Sequence, residues 1–250
     1  MDINTTIDRR SYIPYYIQVQ EALQALIENS DWTPGDQLPG ESELCRMFEV
    51  SRTVIRQALK EMEHEGLIYR EKGKGTFVAE PKIDQGLFQE LTGFYQDMVH
   101  RGLTPFTRVL KQAVIPASQK VATRLKLEPA SQVIEIHRLR GVQDEPIVLD
   151  TTYLPYTLCP EVSHVDLSQQ SLYAFLENEL GLIIDRGHRT LEAVLANEYE
   201  ADLLQIEVGD PLILLDSVSY LEDGTPIEYF HAVHCGGRAR FEVNLIRIRE

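Results

Sequence analysis

The chain has 250 residues, 43% apolar and 25% charged, which is enough for one large or two ordinary domains and too apolar for a disordered chain. Its formal net charge of −15 and pI near 4.9 count against a protein that coats nucleic acid or an anionic membrane by bulk charge. No apolar run approaches the ~20 residues of a membrane span and MDINTTIDRR holds no signal-peptide core, so a soluble, cytoplasmic protein without a membrane partner is expected. Cys45, Cys159 and Cys235 are odd in number and have no CxxC spacing, which suits a reducing compartment.

Residues 15–29 place Ile17, Val19, Leu23, Leu26 and Ile27 at largely helical spacing and predict a first helix. Pro34, Gly35, Pro39 and Gly40 interrupt regular structure after it. A short second helix follows over 41–49, with Leu44, Met47 and Phe48 inward and Cys45 expected as a buried thiol. Ser51 is a candidate N-cap for a third helix, SRTVIRQALKEME, in which Ile55, Ala58, Leu59 and Met62 form a core stripe. Arg52, Thr53, Arg56, Gln57 and Lys60 fall on its other face, while Glu61, Glu63 and Glu65 gather at its far end. Short strands over 67–70 and 76–78 flank a turn tipped by Lys72, Gly73 and Lys74.

Between Arg46 and Val78 seven basic residues outnumber five acidic ones, against the trend of the chain. A stripe of charge at i, i+4 and i+8 is by itself most often a solvated helix face, and a glycine turn most often an ordinary hairpin. Their order is more telling. Two helices joined by a tight turn, the second led by Arg and Thr, are what a major groove admits, and a glycine tip lets lysines approach phosphates closely. Three helices followed by a basic-tipped hairpin make a winged helix-turn-helix of α+β class.

The run PGDQLPGESELCRMFEVSRTVIRQALKEMEHEGLIYREKGKGTFV closely resembles the DNA-binding domain of the GntR family of bacterial transcription regulators, over about residues 12–79. The resemblance implies that Ser42, Arg52, Thr53, Arg56 and the wing tip around Gly73 lie at double-stranded operator DNA. Gly40 departs from the family, which more often has a capping Ser or Thr there.

Residues 80–90 read as a linker between a first domain, 1–79, and a second, 91–250. The second contains a repeat: Leu125–Pro155 lines up with Leu203–His234, offset by 79 residues at Leu127/Ile206 and by 80 at Pro146/Pro226. Each copy is a short helix, a strand, a tight turn ending in Pro-Ile and a returning strand, which predicts an α+β domain with a mostly antiparallel sheet of pseudo-twofold character.

The copies diverge where chemistry is possible. Arg138 and Arg140 share one face of a strand, with Asp150 on the returning strand; Ser217 and Ser219 take the arginines' places in the second copy, and Glu228 and Tyr229 follow its turn. Two such guanidiniums read either as surface salt bridges with Asp150 or Glu135, or as an anion or sugar-phosphate pocket. His231, His234 and Cys235 in HAVHC do not make a metal site, because residues three apart on a strand point to opposite faces.

LTGFYQDMVHRGLTP, the RLR…PI-x-LD…YLP run, SLYAFLENELGL and DGTPIEYFHAVHCGGRARF resemble the effector-sensing (UTRA) domain of the HutC branch of the GntR family, over about residues 88–246. That domain is similar to chorismate lyase in fold and binds small effectors. The resemblance implies an effector site formed by Phe94, Tyr95, Arg138, Arg140, Asp150 and Tyr229, with Arg189 a further candidate. CGGRARF departs from relatives at Gly237 and Ala239, which leaves the effector's identity open.

The reading is an effector-responsive transcription regulator, a repressor that binds a palindromic operator as a homodimer, with no cofactor, metal or catalytic residue. An enzyme of chorismate-lyase-like fold joined to a DNA-binding domain is the alternative, and an architectural DNA-binding protein without ligand control is a second. Neither a nucleophile motif nor a metal-ligating motif supports the first of these.

Overall fold

A computed structural model describes residues 7–29, 31–85 and 94–242. The chain forms two compact units, Met1–Lys82 and Ile83–Glu250.

The first unit is built on α1 (Tyr15–Glu28), α2 (Glu41–Phe48) and α3 (Arg52–His64), followed by the hairpin of β1 (Ile68–Glu71) and β2 (Gly75–Val78). Val19, Leu23 and Leu26 of α1, Leu44 and Phe48 of α2 and the predicted stripe of α3 close one core with Ile68 and Val78 of the hairpin. The segment read as irregular does more than connect. Gly35 and Leu38 donate backbone bonds to Val78 and Thr76, and Gln37 donates its side-chain amide to the Lys74 carbonyl at 2.8 Å, bracing the hairpin tip. Ser51 stands at the N-cap of α3 in extended conformation, yet its hydroxyl makes no capping bond. Cys45 is half-buried rather than buried.

The second unit is a six-stranded antiparallel sheet in the order β4-β5-β6-β9-β8-β7. Its strands are β4 (Pro105–Pro116), β5 (Gln132–Val142), β6 (Glu145–Pro155), β7 (Ile184–Leu195), β8 (Pro211–Leu221) and β9 (Pro226–Cys235). The order is a palindrome of the two repeats. β7 lies 79 residues after β4 at both ends, α5 (Gln119–Leu125) is answered by α7 (Glu198–Leu204), and both helices stop at a left-handed residue, Lys126 and Gln205. β6 and β9 pair about Thr151 and His231, so the pseudo-twofold axis passes between these two repeat partners. Each repeat is therefore β-α-β-β, one strand longer than the sequence match.

Alternation along the strands gives the sheet two faces. On one, α5 and α7 cover Val133, Leu139, Leu149 and Val233. The other carries α4 (Phe94–His100), α6 (Leu172–Asn178) and a 3-10 turn over Pro160–His164, above Ile134, Ile136, Leu154 and Ile227. Part of the expected linker is ordered: β3 (Ile83–Gln85) pairs in parallel with β10 (Ala239–Phe241). The rest of that linker, residues 86–90, and the predicted start of the second domain lie outside the described residues.

Candidate functional site

In the first unit, Ser42, Ser51, Arg52, Thr53, Arg56, Gln57, Lys72, Gly73 and Lys74 are all exposed. The α3 core stripe points the opposite way, so packing alone turns Arg52, Thr53, Arg56 and Gln57 outward. α3 has no acidic residue in its first turn and begins with an arginine, a charge order that opposes the helix dipole. An incoming phosphate would reverse that sign.

One feature was not visible in the sequence. Glu41, at the start of α2, receives Arg52 Nε at 2.9 Å and Arg56 Nε at 3.7 Å, while both arginine side chains stay about two-thirds exposed (68% and 67%). The carboxylate holds the two forks side by side without burying them. At the hairpin, Gly73 takes φ +79° with open space around it, and Lys74 pairs with Glu71 at 2.6 Å while remaining largely exposed. The hydrogen bond and charge of Glu71 raise the Lys74 pKa above its usual value.

In the second unit a cavity opens on the sheet face opposite α5 and α7, with about 660 Å³ of space between its walls, mouth included. Phe94, Tyr95, Arg138, Arg140, Asp150, Arg189 and Glu228 all line it. Arg138 lies directly across the β5–β6 ladder from Asp150. Its Nε and Nη2 donate to Asp150 Oδ1 at 2.9 and 2.7 Å, and Nη2 also donates to Thr152 Oγ1 at 2.6 Å. Arg140 Nε stands 2.8 Å from Asp150 Oδ2 in an ion pair whose angle does not make a hydrogen bond. The strand irregularity beside it needs Gly141, because a Cβ there would sit 1.9 Å from the Glu145 carbonyl oxygen.

The salt bridges to Asp150 exist, but they are buried rather than on the surface, and Glu135 pairs instead with Lys111. One carboxylate faces two guanidiniums. Burial, and then the like charge of Arg138, lower the Arg140 pKa to about 10. The site still holds an uncompensated cation, an arrangement that an anion would relieve.

Across the sheet, Arg189 Nε donates to Ser217 Oγ at 3.3 Å. Glu228 Oε2 accepts from Tyr173 Oη at 2.5 Å and from Ser219 Oγ at 3.0 Å. Burial pushes the Glu228 carboxyl above its usual range, against the pull of these donors, and burial beside Glu228 pushes Tyr173 up as well.

Tyr229 is the exception among the expected effector residues. Glu228 and Phe230 face the cavity, so the residue between them points to the other side of the sheet. There it stacks on Tyr153 at 5.8 Å, lies beneath Lys120 and Arg124, and donates to Asp216 at 2.9 Å. Sequence reasoning passed over Ser171, Tyr173 and Phe230 and singled out His234 only to dismiss a metal, yet all four line the cavity. Tyr173 and Ser171 lie in SLYAFLENELGL, where a serine N-cap followed by an aromatic reads as an ordinary helix start. Alternation from Glu228 was a signal for Phe230 and His234.

A winged helix-turn-helix and an antiparallel ligand-cavity domain in one chain define a ligand-linked DNA-binding regulator. The family model described as "Bacterial regulatory proteins, gntR family" matches residues 15–78, and the UTRA domain model matches residues 100–240. The chain belongs to the GntR family and carries a UTRA domain; it is a transcription regulator and not an enzyme, which sets aside the lyase alternative. It is 36% identical to the HTH-type transcriptional repressor NagR of Bacillus subtilis over 94% of this chain and 96% of that protein. It is 31% identical to the mannosyl-D-glycerate transport/metabolism system repressor MngR of Escherichia coli, over 86% and 89% of the two chains. Among solved structures it is similar to PhnF from Mycobacterium smegmatis, with a TM-score of 0.66 and 28% identity over 91% of this chain and 99% of that one.

Proposed function

We propose that the protein is a repressor that binds a palindromic operator as a homodimer and is released by a small anionic metabolite, of which a phosphorylated sugar is the leading class. Ser42, Ser51, Arg52, Thr53, Arg56 and Gln57 meet the major groove and its flanking phosphates, and Lys72, Gly73 and Lys74 meet the backbone beside it. Phe94, Tyr95, Arg138, Arg140, Asp150, Arg189 and Glu228 receive the effector. Two copies read two half-sites at a fixed separation, so an effector that changes the spacing of the reading domains costs the complex one half-site. Linkage then requires operator and effector to weaken each other's binding by the same factor.

The observation that carries the reading is the buried Arg138–Asp150–Arg140 triad in a cavity wall, two cations on one carboxylate. The planar forks of a guanidinium pair suit the multiple acceptor oxygens of a phosphate or carboxylate. A thermal-shift screen over phosphorylated sugars, amino sugars and small carboxylates tests it, because a true ligand must stabilise the fold. Stabilisation by anionic members, lost in an Arg138→Gln/Arg140→Gln variant, supports the assignment; equal stabilisation of both proteins contradicts it.

A further inference from the structure

We propose that His234 is a specificity-determining residue of this cavity, exchanging hydrogen bonds with an uncharged hydroxyl or amide group of the same molecule whose anion meets the arginines. The proposal rests on the cavity being the effector site. His234 lies on β9, lines the cavity and is 1% exposed, and neither ring nitrogen has a hydrogen-bond partner among the described residues. Other polar groups of the cavity wall have partners: Glu228 bonds Tyr173 and Ser219, Ser217 bonds Arg189, Arg138 bonds Asp150 and Thr152, and Arg140 Nε and Asp150 Oδ2 face each other as an ion pair. His234 has neither a hydrogen bond nor an ion pair to meet its ring nitrogens, and a buried polar side chain left so calls for an explanation.

The chemistry of that partner follows from the charge state. Burial first, with repulsion from Arg140 and Arg189 and against the pull of Asp150, lowers the imidazole pKa to about 3, so the ring is neutral at physiological pH. A neutral imidazole offers one donor and one acceptor. A hydroxyl or an amide can meet either nitrogen, accepting from the N–H or donating to the lone pair, whereas a fully ionised phosphate oxygen can serve only the N–H. Val148 pairs with Arg140 on one side and His234 on the other, which places these two residues two strands apart, their backbones on the order of 10 Å from each other. The anion and the uncharged group therefore belong to different ends of one small molecule. The ring also packs nearly perpendicular to the Phe241 ring, with centroids 5.1 Å apart, which fixes its orientation in the wall.

The test is calorimetric titration of full-length wild type, His234→Phe, His234→Gln and Arg138→Gln/Arg140→Gln. The probes are inorganic phosphate, an anion alone, and hexose and hexosamine 6-phosphates with and without an N-acetyl group. We expect a sugar phosphate that binds wild type to bind His234→Phe at least tenfold more weakly, while phosphate affinity stays within twofold. Glutamine, which keeps a donor and an acceptor, should recover most of the loss. Unchanged sugar-phosphate affinity in His234→Phe, or an equal loss for phosphate, overturns the role of His234. No binding of any sugar phosphate to a wild type that binds phosphate overturns the ligand class. Undiminished binding to the double arginine variant overturns the cavity reading itself, whatever His234 does. If the phenylalanine variant does not fold, His234→Leu gives the same comparison.

Discussion

Asp150→Asn isolates the electrostatics of the cavity wall. The Asp150 side chain is fully buried and the two guanidiniums it holds are 3% and 9% exposed, so the substitution leaves two cations side by side without their counter-charge. Removing one partner of a buried pair typically costs about 3–5 kcal/mol. For a unit of this size each kcal/mol lowers Tm by about 2–4 °C, which gives a loss of roughly 6–20 °C. Arg140→Gln should cost far less, because Asp150 keeps both bonds from Arg138 and the excess cation is gone. The assay is thermal unfolding followed by circular dichroism, with and without phosphate, which should narrow the gap for Asp150→Asn by binding the bared guanidiniums. A variant within about 2 °C of wild type, or an equal loss in Arg140→Gln, would refute the reasoning.

Arg52→Ala should weaken operator binding by about 1–3 kcal/mol in a gel-shift titration if the side chain forks onto a base. Glu41→Gln should do the reverse, tightening both specific and non-specific DNA binding a few-fold, since an exposed pair of this kind holds its arginine by only about 0.2–1 kcal/mol. Folded His234 resists protonation down to about pH 3 whereas the unfolded chain takes up that proton near 6.5. Its contribution to stability is therefore complete above pH 6.5 and lost progressively as pH falls towards 3. The drop in Tm between pH 7 and pH 5 should be smaller in His234→Phe than in wild type, and equal drops would contradict the burial of a neutral ring.

Much of this was legible in the residues. The α3 stripe and the wing glycines are local patterns, and local patterns decide which way Arg52 and Arg56 point. The repeat showed because α5–β6 and α7–β9 share turns and Pro-Ile pairs, but β4 and β7 escaped the match. As edge strands with half-buried side chains in β4 and mostly exposed ones in β7, they keep few residues in common. The Glu41 tether joins residues eleven and fifteen positions apart on two helices, and only the turn between α2 and α3 brings them together. Tyr229 was drawn into the cavity by resemblance when strand alternation from Glu228 already sent it to the other face. Tyr173 faces the cavity because α6 packs over the sheet, a tertiary fact that the helix's own periodicity does not contain.

The most direct measurement is operator binding by wild type and the Arg138→Gln/Arg140→Gln variant, titrated by fluorescence anisotropy with an anionic ligand that releases wild type. The variant should bind the operator within about twofold of wild type and should no longer be released at ligand concentrations that empty the wild-type complex. Release of both proteins at the same ligand concentration would contradict the claim that the buried arginines of the second unit receive the signal.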